Sequence, residues 1–370
     1  MPARQRLSPA IFQLPVEKMR EGYYSDTYFN RSREILIADS YSPRVRMQVF
    51  QRSHSYLGGI DEALAILRLC SGRDSGGSWT DGWNELTVRA LYDGDAIGPY
   101  ETVMTVEGDY ALFAHLETLY LGVLARRTRI ATNAREIVDA ANGKDVLFFP
   151  ARFDHHHVQT GDGYAAYISG ALGVSTDANA EWWGSRGMGT VPHSLIAAYK
   201  GDTVLATQKF AQYMPPGVNV IALVDFENDC VGTSLKLARA LGNRLYGVRM
   251  DTSSTLVDKS IWPQMSTFTP TGVNPQLVHN VRNALDAEGF TQVKIVVSGG
   301  FNAEKIRMFE SLKVPVDAYA VGSAFFDGSG HFDFTADISA IQIDGEWREC
   351  HKVGRPERPN PRLAIVPKDY

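Results

Sequence analysis

The chain has 370 residues, 44% of them apolar and 21% charged, with 37 Lys plus Arg against 42 Asp plus Glu. That apolar fraction excludes a mainly disordered chain, and the net charge of -5 argues against a general nucleic-acid binder, which is usually basic. At roughly 100–200 residues per domain, the length suits two domains or one large α/β barrel.

Up to about residue 128 the pattern is mixed. The start, Met1-Pro2-Ala3-Arg4-Gln5-Arg6, leads into no apolar run long enough for a secretory segment. Segments 34–39 and 45–50 read as short strands, the second alternating with period two. Residues 60–70 carry apolar side chains at helical spacing, with Asp61 and Glu62 in the first turn, where acids suit the helix dipole. A Gly/Ser-rich loop at 71–78 follows. Strands are predicted over 86–92 and 101–106, and an apolar helix over 110–124. Residues 1–128 thus predict an N-terminal α+β domain with an antiparallel sheet.

From residue 129 onward strands and helices alternate. Strands are predicted at 146–149, 220–224, 245–250, 293–297 and 318–321. Helices are predicted at 133–141, up to residue 172 with Asp162 as cap, at 234–241, at 275–288 behind Asn274, and up to 311 behind Asn302. Such alternation predicts an α/β fold with a parallel sheet, most simply a barrel over 129–335. Residues 336–370 remain as a C-terminal segment returning to the N-terminal domain. No stretch approaches the roughly 20 apolar residues of a membrane span, so a cytoplasmic protein with no membrane or nucleic-acid partner is expected. Cys70, Cys230 and Cys350 form no CxxC pair and read as reduced thiols.

Polar residues gather at the strand ends: Phe149-Pro150-Ala151-Arg152, Asp225, Arg249-Met250-Asp251, Ser298-Gly299-Gly300 and Gly322-Ser323. Barrel active sites form at these C-terminal ends. Arginine offers bidentate recognition of phosphate, paired carboxylates can hold Mg²⁺ or face a developing positive charge, and glycines leave backbone amides free for phosphate oxygens. The implied ligand is a polyphosphorylated sugar or nucleotide with Mg²⁺.

In order along the chain stand Tyr24-Ser25-Asp26-Thr27-Tyr28, Phe149-Pro150-Ala151-Arg152, Asp162-Gly163-Tyr164-Ala165-Ala166-Tyr167-Ile168 and Gly189-Thr190-Val191-Pro192-His193-Ser194. Leu223-Val224-Asp225, Gly247-Val248-Arg249-Met250-Asp251-Thr252, Val297-Ser298-Gly299-Gly300, Val321-Gly322-Ser323 and Thr335-Ala336-Asp337-Ile338 follow. This ordered set resembles the nicotinate phosphoribosyltransferases, over residues 23–338. The resemblance implies a type II phosphoribosyltransferase with an N-terminal α+β domain, an irregular (β/α) barrel of about seven strands, and a homodimer, or a higher oligomer built from it, with shared active sites. It implies formation of nicotinate mononucleotide and pyrophosphate from nicotinate and phosphoribosyl pyrophosphate, in NAD salvage. ATP is the implied co-substrate, hydrolysed through a phosphorylated histidine, and Mg²⁺ the implied ion.

By the same resemblance, Phe149 stacks on the pyridine ring, and Tyr24 or Tyr28 of a neighbouring subunit closes its other face. Arg152 contacts nicotinate or its ribose phosphate. Arg249 binds phosphate, Asp225 and Asp251 serve the ribose hydroxyls and Mg-pyrophosphate, and His193 accepts the phosphoryl group. Ser298 belongs to the same strand-end set, and the amides of Gly299, Gly300, Gly322 and Ser323 cradle the 5′-phosphate. Arg31 or Arg33 reaches the partner's pyrophosphate.

The sequence departs from the pattern at Pro150, where many relatives place glycine, and at Pro192, where the nicotinamide-specific branch carries an acid. Asp177 aligns with an acid of that branch, whereas a shift by one or two residues aligns Ser175 with the serine typical of nicotinate enzymes. A buried carboxylate facing nicotinate's own is costly, which favours nicotinate. The alternatives are a nicotinamide or quinolinate phosphoribosyltransferase and a non-catalytic sensor of phosphoribosyl ligands. His155-His156-His157 is set aside as a metal site, because successive side chains diverge on a helix or a strand. Cys350-His351 lacks a CxxC partner for zinc, and Asp74-Ser75-Gly76-Gly77 reads as a flexible linker.

Overall fold

The computed structural model describes residues 5–74, 76–265 and 267–370, so residues 1–4 of the start and Ser75 of the loop 71–78 lie outside the described residues. Two compact units result: Met1–Thr132 with Gly328–Tyr370, and Asn133–Asp327.

In the first unit the strand Arg44–Gln51 pairs antiparallel with Phe334–Ile343 on one side and Thr102–Asp109 on the other. Glu346–Glu349, Thr87–Ala90 and Ala364–Ile365 complete a six-stranded sheet. The helix Ile60–Cys70 forms as expected and buries Ile60, Leu64 and Leu67 in a core with Val49, Trp83 and Val106. The C-terminal segment is tied into this unit: Arg355 pairs with Asp337 at 2.8 Å, and the Trp83 indole donates to the Lys368 carbonyl at 3.0 Å.

Two local expectations are corrected here. Residues 34–39 belong to a helix, Thr27–Ala38, because the short run Ile35-Leu36-Ile37 fits either period and no sheet partner claims it. That helix buries none of its residues. Residues 110–116 form two 3₁₀ turns, Tyr110–Leu112 and Ala114–Leu116, and the helices expected before and after residue 128 are one, Glu117–Ala140. With no glycine or proline between Val123 and Ala141, nothing in the sequence breaks it.

The second unit holds the α/β alternation. Its strands are β1 (Asp145–Phe148), β2 (Gly173–Val174), β3 (Ile221–Leu223), β4 (Gly247–Met250), β5 (Lys294–Val297) and β6 (Ala318–Val321). Its longer helices are α1 (Gln159–Ile168), α2 (His193–Ala198), α3 (Thr203–Tyr213), α4 (Cys230–Leu241), α5 (Pro275–Ala287) and α6 (Ala303–Ser311). Every strand pair is parallel, in the order β3-β4-β5-β6-β1-β2. That is the order of a closed barrel cut once, between β2 and β3.

The seam is filled by irregular chain. Met188 N donates to the Val174 carbonyl at 2.7 Å, and Val191 N donates to the Ile221 carbonyl at 3.0 Å. So the sheet has six strands where about seven were expected, with segment 188–191 lying where a further strand would pair. Asn274 and Asn302 cap α5 and α6 by accepting from Leu277 N at 3.0 Å and Lys305 N at 2.8 Å. Asp162, expected as a cap, lies instead buried in the first turn of α1, which begins earlier, at Gln159.

Candidate active site

The sheet interior is apolar: Leu147, Ile221, Val296, Ala318 and Ala320 cluster there, with Phe149 packed against them. Arg249 pairs in register with Leu223 and Val296 and so faces the same side. Side chains alternate along a strand, so counting by twos past the strand ends reaches Phe149, Asp225, Asp251, Ser298 and Gly322. The fold therefore gathers these polar groups at one end of the interior, with Arg249 starting from the level of Val296.

His193 opens α2, and its Nε2 lies 3.1 Å from each oxygen of Asp225. Burial pushes the Asp225 carboxyl up from its ordinary value, while His193 pulls it down and the neighbouring Asp251 adds to the rise. Arg249 Nη1 donates to the Thr190 hydroxyl at 2.7 Å, and Nη2 lies 3.5 Å from Asp251. Burial lowers the Arg249 pKa, against the pull of Asp251 and Asp225, and repulsion from Arg152 lowers it further. Ser298 Oγ stands 2.7 Å from Asp251 Oδ1. The side chains thus form two contact groups, His193–Asp225 and Thr190–Arg249–Asp251–Ser298, with His193 and Arg249 each tied to an aspartate.

The turn after β5 runs through Gly299 at φ 83° and Gly300 at φ 69°, a left-handed path that favours glycine. A Cβ on Gly299 would come within 3.3 Å of Asp251 Oδ1. Beyond this turn opens a cavity of about 670 Å³, lined by Gly300, Asn302, Ser323, Asn133 and Glu136. Its one arginine, Arg307, is paired with Glu136 at 2.9 Å. An anion here would rest on backbone amides and the N-terminal turn of α6.

Other expected residues are placed as follows. Arg152 is exposed on the loop after β1. The Ser175 hydroxyl is buried without a hydrogen-bond partner, whereas the exposed Asp177 accepts from Gly187 N at 2.8 Å. A Cβ on Gly322 would press on the Phe153 ring at 2.9 Å. Tyr24 and Tyr28 belong to the first unit, where both rings are exposed. There Arg33 donates to the carbonyls of Arg20 and Gly72, and Arg31 is exposed. The sequence reading gave Thr190 no role of its own, although it sits in the motif that ends in His193.

Residues 26–128 match the family described as quinolinate phosphoribosyl transferase, N-terminal domain. Among solved structures, the nicotinate-nucleotide pyrophosphorylase of Pyrococcus furiosus is 31% identical, with a TM-score of 0.77, over 96% of this chain and 86% of that one. The chain belongs to the family of that enzyme, and curated nicotinate phosphoribosyltransferases are among its relatives. A nicotinate phosphoribosyltransferase of Mycobacterium tuberculosis is 30% identical over 270 residues, 70% of this chain and 55% of the relative. The chain thus spans about half the length of the curated relatives it matches first. Human nicotinic acid phosphoribosyltransferase, at 17% identity and a TM-score of 0.65 over 90% of this chain and 77% of that one, shares this family's fold. Among the described residues no helix is long and apolar enough to cross a membrane.

Proposed function

We propose that the protein is a nicotinate phosphoribosyltransferase of NAD salvage, joining nicotinate to phosphoribosyl pyrophosphate with release of pyrophosphate. The observation that carries this reading is the pair of contact groups, His193–Asp225 and Thr190–Arg249–Asp251–Ser298, at one end of the sheet interior. In the proposed reaction the pyridine nitrogen bonds to the anomeric carbon as the bond to pyrophosphate breaks and its electron pair leaves with the oxygen. No general base is needed, since that nitrogen already carries a free pair. The ribosyl centre becomes cation-like, and the carboxylates of Asp225 and Asp251 lower the cost of that charge. Arg249, with Arg152 beside it, receives the growing charge on the leaving group. Phe149 supplies a ring to stack on the pyridine, worth about 0.5–1.5 kcal/mol beyond area burial.

Mg²⁺ binds through one or two carboxylates together with substrate phosphates. Asp251 is 27% exposed, and Asp225 is close enough to feel its charge, so the donor set fits. Asp251 and Asp225 would hold the ion, which supplies charge neutralisation to the pyrophosphate. ATP enters the proposal through His193. Asp225 takes Nε2, so a phosphoryl group from ATP would bond to Nδ1 as ADP leaves, and water would later cleave that bond.

Nicotinate is favoured over nicotinamide by the unpartnered, buried hydroxyl of Ser175, a donor suited to a ligand carboxylate; Asp177 is already committed to a backbone amide. A second copy of the chain is part of the proposal. The helix Thr27–Ala38 buries nothing, and Tyr24, Tyr28, Ile35 and Ile37 stand exposed on and beside it, ready to be covered by a homodimer partner.

The test offers phosphoribosyl pyrophosphate and Mg²⁺ with nicotinate, nicotinamide or quinolinate, with and without ATP. Nicotinate mononucleotide is expected, with turnover raised by ATP and an acid-labile phosphate on the protein. The His193→Ala variant should lose the ATP-stimulated part alone. No mononucleotide from any of the three bases would overturn the enzyme reading, and product from quinolinate alone would replace nicotinate as the substrate.

A further inference from the structure

Between Arg152 and the start of α1 the chain turns through three successive histidines. On a regular helix or strand their side chains would point apart, and the structure differs because the backbone here is neither. His155 is extended, at φ -68° and ψ 141°, and residues His156–Val158 then form a single 3₁₀ turn. The three rings come together: centroids lie 4.3 Å apart for His155 and His156, 4.3 Å for His156 and His157, and 5.0 Å for His155 and His157. One ring nitrogen from each histidine falls in a group with all members within 4.8 Å of one another, and all three residues are exposed.

We propose that His155, His156 and His157 form a site for one divalent transition-metal ion of the imidazole-preferring class: Zn²⁺, Ni²⁺, Co²⁺ or Cu²⁺. Neutral imidazole suits these ions, while Mg²⁺ and Ca²⁺ prefer oxygen donors. With metal–nitrogen bonds of about 2.0–2.1 Å, two nitrogens on a tetrahedral ion stand roughly 3.3 Å apart. Closing from within 4.8 Å needs only side-chain rotation, which exposed residues complete within nanoseconds. His155 Nδ1 now accepts from His157 N at a long 3.3 Å, so that lone pair can be yielded to an ion at small cost. Water fills the remaining positions, since the site is open. The proposal does not rest on the phosphoribosyl chemistry proposed above.

The experiment uses the full chain free of any polyhistidine tag, freed of metal by chelation and titrated with Zn²⁺, Ni²⁺ and Co²⁺ by calorimetry. Mg²⁺ serves as the hard-ion control. A single ion per chain with micromolar affinity is expected, weakened about tenfold or more in His156→Gln. The triple variant His155→Gln, His156→Gln, His157→Gln should lose the binding. Thermal melting without metal should match wild type, which separates lost ligands from lost fold. Cys350→Ser should bind as wild type does. Affinity no better than millimolar, or binding that survives in the triple variant, would overturn the site.

Discussion

Thr190 holds Arg249 by one hydroxyl, and the guanidinium it holds is mostly buried, with its Nε lacking a partner. Hydrogen bonds to charged groups are worth about 1.5–3 kcal/mol, so losing this one is felt. Thr190→Val should raise the KM for phosphoribosyl pyrophosphate about tenfold, the equivalent of about 1.4 kcal/mol, with a smaller change in kcat. Thr190→Ser should restore most of the loss in steady-state assays. An unchanged KM in the Val variant would remove Thr190 from the positioning of Arg249. The expected polar residues themselves were legible, because strand alternation alone brings Asp225, Arg249, Asp251 and Ser298 to one end of one face. Thr190 was not, since its partner lies 59 residues away and no period links the two.

The turn after β5 offers a comparison within one element. Gly299 and Gly300 both hold left-handed angles, but only Gly299 has a neighbour, Asp251, where a side chain would stand. Left-handed backbone costs a non-glycine residue roughly 1–2 kcal/mol. Gly300→Ala should therefore lower Tm modestly with much of the activity kept, while Gly299→Ala should also displace Asp251 and depress turnover. Equal turnover in the two variants would argue that Asp251 does not depend on this turn. Alternation of strand and helix, together with Asn274 and Asn302 as caps, made the parallel sheet readable. The pairing of segment 188–191 is not predicted, because Met188-Gly189-Thr190-Val191 carries no strand pattern; its hydrogen bonds to Val174 and Ile221 come from tertiary packing. The misassigned 34–39 shows the opposite failure, an apolar run too short to reveal its period.

Stability of the whole molecule should carry a signature of Glu117. Burial first, then Asp337 and Asp26, push its carboxyl up to about 8 from an ordinary 4.5. Between those values the unfolded chain ionises while the folded one keeps its proton, so this group makes stability fall as pH rises and level off above about 8. Glu117→Gln should flatten that fall, and melting curves between pH 5 and pH 9 read the difference from wild type directly. Parallel curves for the two proteins would dismiss the role of Glu117. The division of the chain bears on how such a molecule is made. Residues 133–327 are contiguous, but the other unit's central strand, Arg44–Gln51, meets its partner Phe334–Ile343 only after everything between them has been made. A ribosome would therefore release the later-coded unit ready to fold while the earlier-coded one still waits for a strand. For that interval the hydrogen-bonding edge of Arg44–Gln51 that Phe334–Ile343 later takes stands open to pairing with another chain.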